Sequence, residues 1–295
     1  DKDQVLSDMI WVIRNFKPDV IINRFDHRTS GTTHGHHTTS AILSVEAFDK
    51  VNDASVFSDQ LKLTQIWQPK RLFFNTSWWF FGSKEKFEAA DKTNFSELKT
   101  GVYYDAFGKS NQEIAALSRS CHQSQGFGNT GTRGDESEYI ELLKGPSLKN
   151  KSDIFEGIDT SWNRVKNGKE IGDLIAKILQ DFNYQNPSKS IPELIKVYSL
   201  IEKIDDLHWK KIKLEEVKKI ISACSGLYLE AVSTQQEVTP GENIKIKLES
   251  INRSSSKMVL KSINATNLSS IIYKPIILNN NQLITQTIDF QINSD

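Results

Sequence analysis

The apolar residues Val5, Met9, Val12, Ile13 and Phe16 recur at helical spacing and predict an amphipathic helix over residues 3–17. Pro18-Asp19 ends it, and the run from Val20 to Phe25 reads as a short buried strand. Residues 26–35 are polar and hold two glycines, so they read as a loop. A second helical pattern runs over 36–51, with Ala41, Ile42, Val45 and Phe48 on its apolar face. Helix, strand, polar loop and helix in succession predict an α/β sheet with crossovers.

Arg71–Asn75 is a second strand, followed by the aromatic run Trp78-Trp79-Phe80-Phe81. Val102-Tyr103-Tyr104 reads as an edge or hairpin strand, and 109–122 as a helix with Ile114, Leu117 and Cys121 near one face. Residues 125–135 form a Gly-, Thr- and Asn-rich loop, and Tyr139–Leu143 a further strand. Three helical segments follow, near 169–182, 191–206 and 212–225. After Leu227 the period changes to two, with Ile244, Ile246 and Leu248 alternating with polar residues behind a Pro240-Gly241 turn. The stretches 252–270 and 279–281 read as turns. The short strands to the end suggest an immunoglobulin-like β-sandwich, with fewer strands than the roughly seven a whole one needs. The expected division is 1–167, an α/β sheet incomplete at its N-terminus; 168–226, a helical segment; and 227–295, a partial β-sandwich.

Composition narrows the function classes. The 295 residues balance 37 basic against 37 acidic side chains, so no excess of basic charge marks a nucleic-acid footprint. No apolar run reaches the roughly 18 residues of a membrane span. Cys121 and Cys224 are too few for a disulfide framework or a zinc finger. The chain starts in a helical pattern without methionine and ends within a β pattern, so both ends read as cut. The appended strands associate it with an envelope setting, periplasmic or secreted.

The candidate chemistry lies between Arg24 and His37, where four of the six histidines fall within eleven residues. The cluster directly follows a strand, the place where open α/β sheets bind ligands. His34 and His37 are three apart at a helix start, so both imidazoles share one face. Neutral imidazole is a common zinc ligand. The same residues also suit loop and cap bonds to the backbone, and the cluster alone names neither metal nor reaction.

Lys17-Pro18-Asp19-Val20-Ile21-Ile22, a polar loop and then His34-Gly35-His36-His37 resemble the second motif of the PIG-L/LmbE-like zinc-dependent de-N-acetylases, which commonly reads His-Pro-Asp-His. Ala115-Ala116-Leu117 followed by His122-Gln123-Ser124-Gln125 resembles a further segment of that family, and the likeness spans roughly residues 3–145. The resemblance implies a Rossmann-like sheet and a Zn2+ ion held by three protein residues, of which His37 is one. It places His34 beside the oxyanion or as an acid. It implies as substrate an N-acetylated amino sugar or its glycoconjugate, and a large bacterial form with helices and a β-domain behind the sheet. Gly35-His36 stands where the family has Pro-Asp. The family's Ala-His-Pro-Asp-Asp motif, source of two ligands and the base, is absent from these residues, so the expectation is that this fragment alone does not turn over substrate.

Around that motif, Arg24, Asp26 and His27 are candidates for substrate binding or for orienting the ligands, or else for an ion pair that orders the loop. His36 could support a neighbouring imidazole, His122 could sit at the site edge, and Arg133 could meet an anionic group. Trp78 and Trp79 suit a sugar ring or a core position. Two other functions remain open: a non-catalytic carbohydrate-binding or scaffold protein that keeps the fold, and an amidase acting on another acylated amine.

Overall fold

The computed structural model describes residues 1–29, 31–263 and 275–292. It is a mixed α/β protein of helices and several small sheets. The chain divides into two compact units, Asp1–Ile158 and Asp159–Asp295. The boundary therefore falls nine residues before that drawn from the sequence, and the helical segment and the late strands share one unit.

In the first unit, α1 (Lys2–Phe16) leads to β1 (Val20–Asn23), α2 (Gly35–Lys50) and β2 (Arg71–Thr76). Then come α3 (Trp78–Phe81), α4 (Lys84–Ala89), β3 (Phe95–Lys99), the small hairpin of β4 (Tyr103–Tyr104) and β5 (Lys109–Ser110), α5 (Asn111–Ser120) and β6 (Ser137–Lys144). The sheet order is β1-β2-β6-β3. β1 runs parallel to β2, with Val20 opposite Arg71 and Asn23 opposite Phe74, while β6 is antiparallel to both β2 and β3. Leu72, Phe73 and Phe74 of β2 are buried, as a strand enclosed by neighbours requires. Gly145, at a positive φ of 97°, lets the end of β6 pass the carbonyl of Lys70, where any Cβ would collide.

α1 ends at Lys17, which takes the left-handed conformation and returns its N–H to Ile13. The core between α1 and α2 is built from Leu6, Ile10 and Ile13 against Leu43, Ala47 and Val51. This corrects the expected faces. Val5, Val12 and Phe16 are exposed, as is Ile42 on α2. The buried stripe of α1 is rotated one position and includes Arg14, which is 0% exposed. Its guanidinium donates to the carbonyls of Val51 (3.1 Å), Asp53 (2.8 Å) and Phe57 (3.3 Å) and to Gln60 Oε1 (3.2 Å). A charged residue whose donors meet mostly main-chain acceptors is invisible to a pattern of apolar spacing. β1 is likewise less buried than its composition suggests, since it lies at the sheet edge with Ile22 exposed. On α5, Ala116 turns inward while Ile114, Leu117 and Cys121 are exposed. A capping box of Ser110 and Glu113 fixes its start.

The second unit holds α6 (Lys169–Gln180), α7 (Ile191–Ile201), α8 (Leu207–Ser225), β7 (Tyr228–Ser233), β8 (Asn243–Ile251), β9 (Met258–Leu260), β10 (Ile276–Leu278) and β11 (Ile284–Gln291). Val165, Ile171, Val197, Ile201, Ile204 and Val217 form the helical core. α7 stops earlier and α8 starts earlier than the spacing predicts, because Asp206 caps α8 by accepting from the Trp209 N–H at 3.0 Å. The strands form a three-stranded antiparallel sheet, β11-β8-β7, and a separate β10-β9 pair. Asn252 is buried; it donates to Ser256 and Leu278 carbonyls and accepts from Ser254. Residues 264–270 of the expected turn lie outside the described residues.

Replacing Arg14 with Met would strand several buried carbonyls. The expected loss is about 3 kcal/mol, read as a lower urea midpoint with the slope unchanged.

Candidate functional site

The parallel pair β1 and β2 ends at Asn23 and Thr76, and both following segments carry candidate chemistry. After β1 the chain forms the histidine loop. After β2 it turns at once into α3 with its four aromatic residues. Both therefore emerge at the carboxyl ends of parallel strands, where a crevice forms in an open sheet.

Asp26 anchors the loop. Its carboxylate is buried and accepts from the Arg28 backbone N–H (2.9 Å), Arg28 Nε (2.9 Å) and Arg28 Nη2 (3.1 Å). The same guanidinium reaches across to β6, donating to Glu141 Oε1 at 2.9 Å and Oε2 at 2.6 Å. Burial pushes the Asp26 carboxyl up. The hydrogen bonds and charge of Arg28, with the charge of His27, outweigh that and hold it below the usual carboxylate range. Its two acceptors raise Arg28 above the ordinary guanidinium value. His27 Nδ1 lies 3.5 Å from Asp26 Oδ1 but is buried without a hydrogen-bond partner. Asp26 thus orders the loop. Arg28 and Glu141 were not among the sequence candidates, since nothing in the chain pairs residues 113 positions apart.

His34 is the N-cap of α2, extended at φ −63° and ψ 141°, and its carbonyl accepts from the His37 and Thr38 N–H groups. Its side chain makes no capping bond. His36 and His37 occupy the first turn. The ring centroids of His34 and His37 are 5.4 Å apart, of His34 and His36 5.7 Å, and of His36 and His37 4.1 Å. Phe25 stacks on His37 at 3.9 Å and 11°. The Thr33 hydroxyl lies 3.1 Å from His37 Nδ1. When that hydroxyl accepts from Nδ1–H, the free lone pair is on Nε2, the arrangement a metal ligand needs. Desolvation, then the neighbouring charges of His36 and His34, push the His37 imidazole below its ordinary value and favour its neutral form.

His37 therefore has a ring packed by Phe25 and a hydroxyl partner at Nδ1, features a metal ligand would need. It fits as one ligand of a set. No group of three or more His, Cys, Asp or Glu side chains among the described residues is placed to hold a metal ion. The nearby carboxylate, Asp26, is engaged by Arg28.

The remaining candidates divide. Arg24 follows β1 and donates to Asn75 Oδ1 at 2.8 Å, with its guanidinium 5.8 Å from the Phe80 ring, so it belongs to the same sheet end. His122 follows α5, exposed, with Nδ1 3.3 Å from Ser124 Oγ. Arg133 pairs with Glu113 at 3.0 Å, the residue that also closes the α5 capping box. The contacts of His122 and Arg133 thus lie within 113–133, and no contact joins them to the α2 histidines among the described residues. No helix among the described residues is long and apolar enough to cross a membrane.

No known protein family, curated protein or solved structure matches the chain.

Asp26→Asn tests the anchor. A carboxyl with a depressed folded pKa stabilises above its unfolded pKa and loses that contribution as pH falls through the folded value. The variant is expected to lose about 1–3 kcal/mol at neutral pH. The gap from the parent should close as the parent is acidified below about pH 4, followed by thermal denaturation against pH.

Proposed function

We propose that this chain is part of a zinc-dependent hydrolase that removes an N-acetyl group from an amino sugar or its glycoconjugate. The observation that carries the reading is the pair His34 and His37 across the first turn of α2, at the end of β1, with His37 Nδ1 held by Thr33. The motif resemblance supports the same assignment. On this reading β1, α2 and β2 are one crossover of a Rossmann-like sheet. The alternating strands of the second unit belong to a β-sandwich of the immunoglobulin kind.

In this reading His37 offers Nε2 to the metal and Thr33 fixes its tautomer. Phe25 covers one face of the ring. His34, at the positive end of the α2 dipole, stabilises negative charge developing on the amide oxygen. His36, 4.1 Å from His37, disfavours protonation of that ligand by its own charge. Asp26 and Arg28 hold the loop so that these groups keep their spacing. Bound zinc would polarise the acetamide carbonyl and lower the pKa of its water. The resemblance assigns the other two ligands and the base to an Ala-His-Pro-Asp-Asp segment, which these residues do not include.

The test is zinc content and acetate release from N-acetylglucosamine conjugates, in a polypeptide that carries this chain together with such a segment. The expected result is about one zinc per molecule. His37→Ala should lose metal and activity together. His34→Ala should keep the metal and lower kcat about a hundredfold or more. A parent without zinc, whose behaviour His37→Ala leaves unchanged, would make the cluster a structural feature of the loop.

A further inference from the structure

The aromatic run that opens at Trp78 is continuous with the histidine site. Trp79 meets Phe80 edge to face, with centroids 4.8 Å apart. Phe80 packs edge to face on the buried Phe74 at 4.8 Å and faces Phe25 at 6.4 Å. Phe25 stacks on His37. One ring after another therefore connects a surface indole to the proposed metal ligand. Phe80 is the anchor of this series, fixed by Phe74 below it. Trp78 and Trp79 are 46% and 53% exposed. A half-exposed indole is costly to leave in water, and Trp79, joined through Phe80 and Phe25 to His37, can cover a flat apolar face of a ligand.

A polar row borders these rings. Arg24 donates to Asn75 Oδ1, and Asn75 Nδ2 donates to Glu138 Oε2 at 2.9 Å. Arg24 and Glu138 are exposed. The surface thus sets the exposed indole of Trp79 beside charged and amide donors and acceptors. A hexopyranose ring has the same division, with C–H bonds on its faces and hydroxyl groups around its rim.

We infer that the indole of Trp79 forms a stacking platform for a second sugar ring of the substrate, next to the residue that is deacetylated. This rests on the amino-sugar reading for its position in the substrate. Sugar binding itself depends only on the platform. Arg24 and Asn75 would bond the hydroxyl rim, and Phe80 and Phe25 would carry the apolar surface inward to His37. The platform makes the protein favour an oligosaccharide or glycoconjugate over a free monosaccharide.

The test is binding of N,N′-diacetylchitobiose and of N-acetylglucosamine to the 295-residue chain, followed by saturation-transfer NMR in EDTA. Chelation keeps the readout independent of zinc. The disaccharide is expected to bind more tightly, and Trp79→Ala to weaken it about tenfold while changing the monosaccharide little. Trp79→Phe should retain most of the binding, and thermal melting should show each variant folded. Disaccharide binding that Trp79→Ala leaves unchanged would overturn the platform, as would a parent that binds neither sugar. If the platform holds and the zinc and acetate tests fail, the hydrolase reading falls alone and a carbohydrate-binding module remains.

Discussion

The first unit depends on a buried positive charge. Arg14 is the one fully enclosed cation of α1, and its acceptors all lie within ten residues after the end of α2. A guanidinium cannot shed its proton at any ordinary pH, so burying it demands that its donors be satisfied. The segment after α2 is therefore folded around Arg14, with Gln60 turning back to donate to the Ser7 carbonyl at 2.9 Å. This fixes the C-terminal end of α2 against α1. The opposite end of α2, where the histidines are, is then reached from β1 by a loop of about a dozen residues. That loop has its own ionic anchor.

The two anchors act differently. Arg14 is closed off from water, and its partners are mostly main-chain carbonyls, so it defines packing. Arg28 is half exposed and joins two carboxylates, one in the loop and one on β6. Its strength is tempered by solvent, but it links the histidine loop to the middle of the sheet. Asp26, the enclosed member, is the sensitive one. Between these anchors the α2 histidines hold their spacing without a bond from their own side chains to the helix end. The His34 imidazole does not cap the helix, and that of His37 is backed by a hydroxyl and an aromatic ring.

The aromatic surface extends the same logic. β2 is the most deeply buried strand, and Phe74 at its core supports Phe80 one turn past its end. β2 thereby positions exposed rings beside the imidazoles, as binding residues on a firm scaffold generally are.

Much of the fold was legible because periodicity and punctuation are local. The helices at α1, α2, α6 and α7, the strands β2, β6 and β8, and the glycine-rich loop before β6 follow from spacing and from Pro, Gly and Asn. The histidine cluster and its place after a strand were legible for the same reason. What the spacing misjudged was which side faces inward. Val5, Val12, Phe16, Ile42 and Leu117 look like core by pattern and are exposed, while Arg14 looks like surface and is enclosed. Facing depends on what the neighbours offer, and those neighbours are distant in the chain. The pairing of Arg28 with Glu141, the hydroxyl behind His37 and the ring-by-ring route from Trp79 through Phe80 and Phe25 are likewise tertiary. By itself the sequence determined most of the elements and the identity of the candidate groups, because these depend on residue type and local order. Only the tertiary structure decided which groups meet, because contact depends on how distant segments pack.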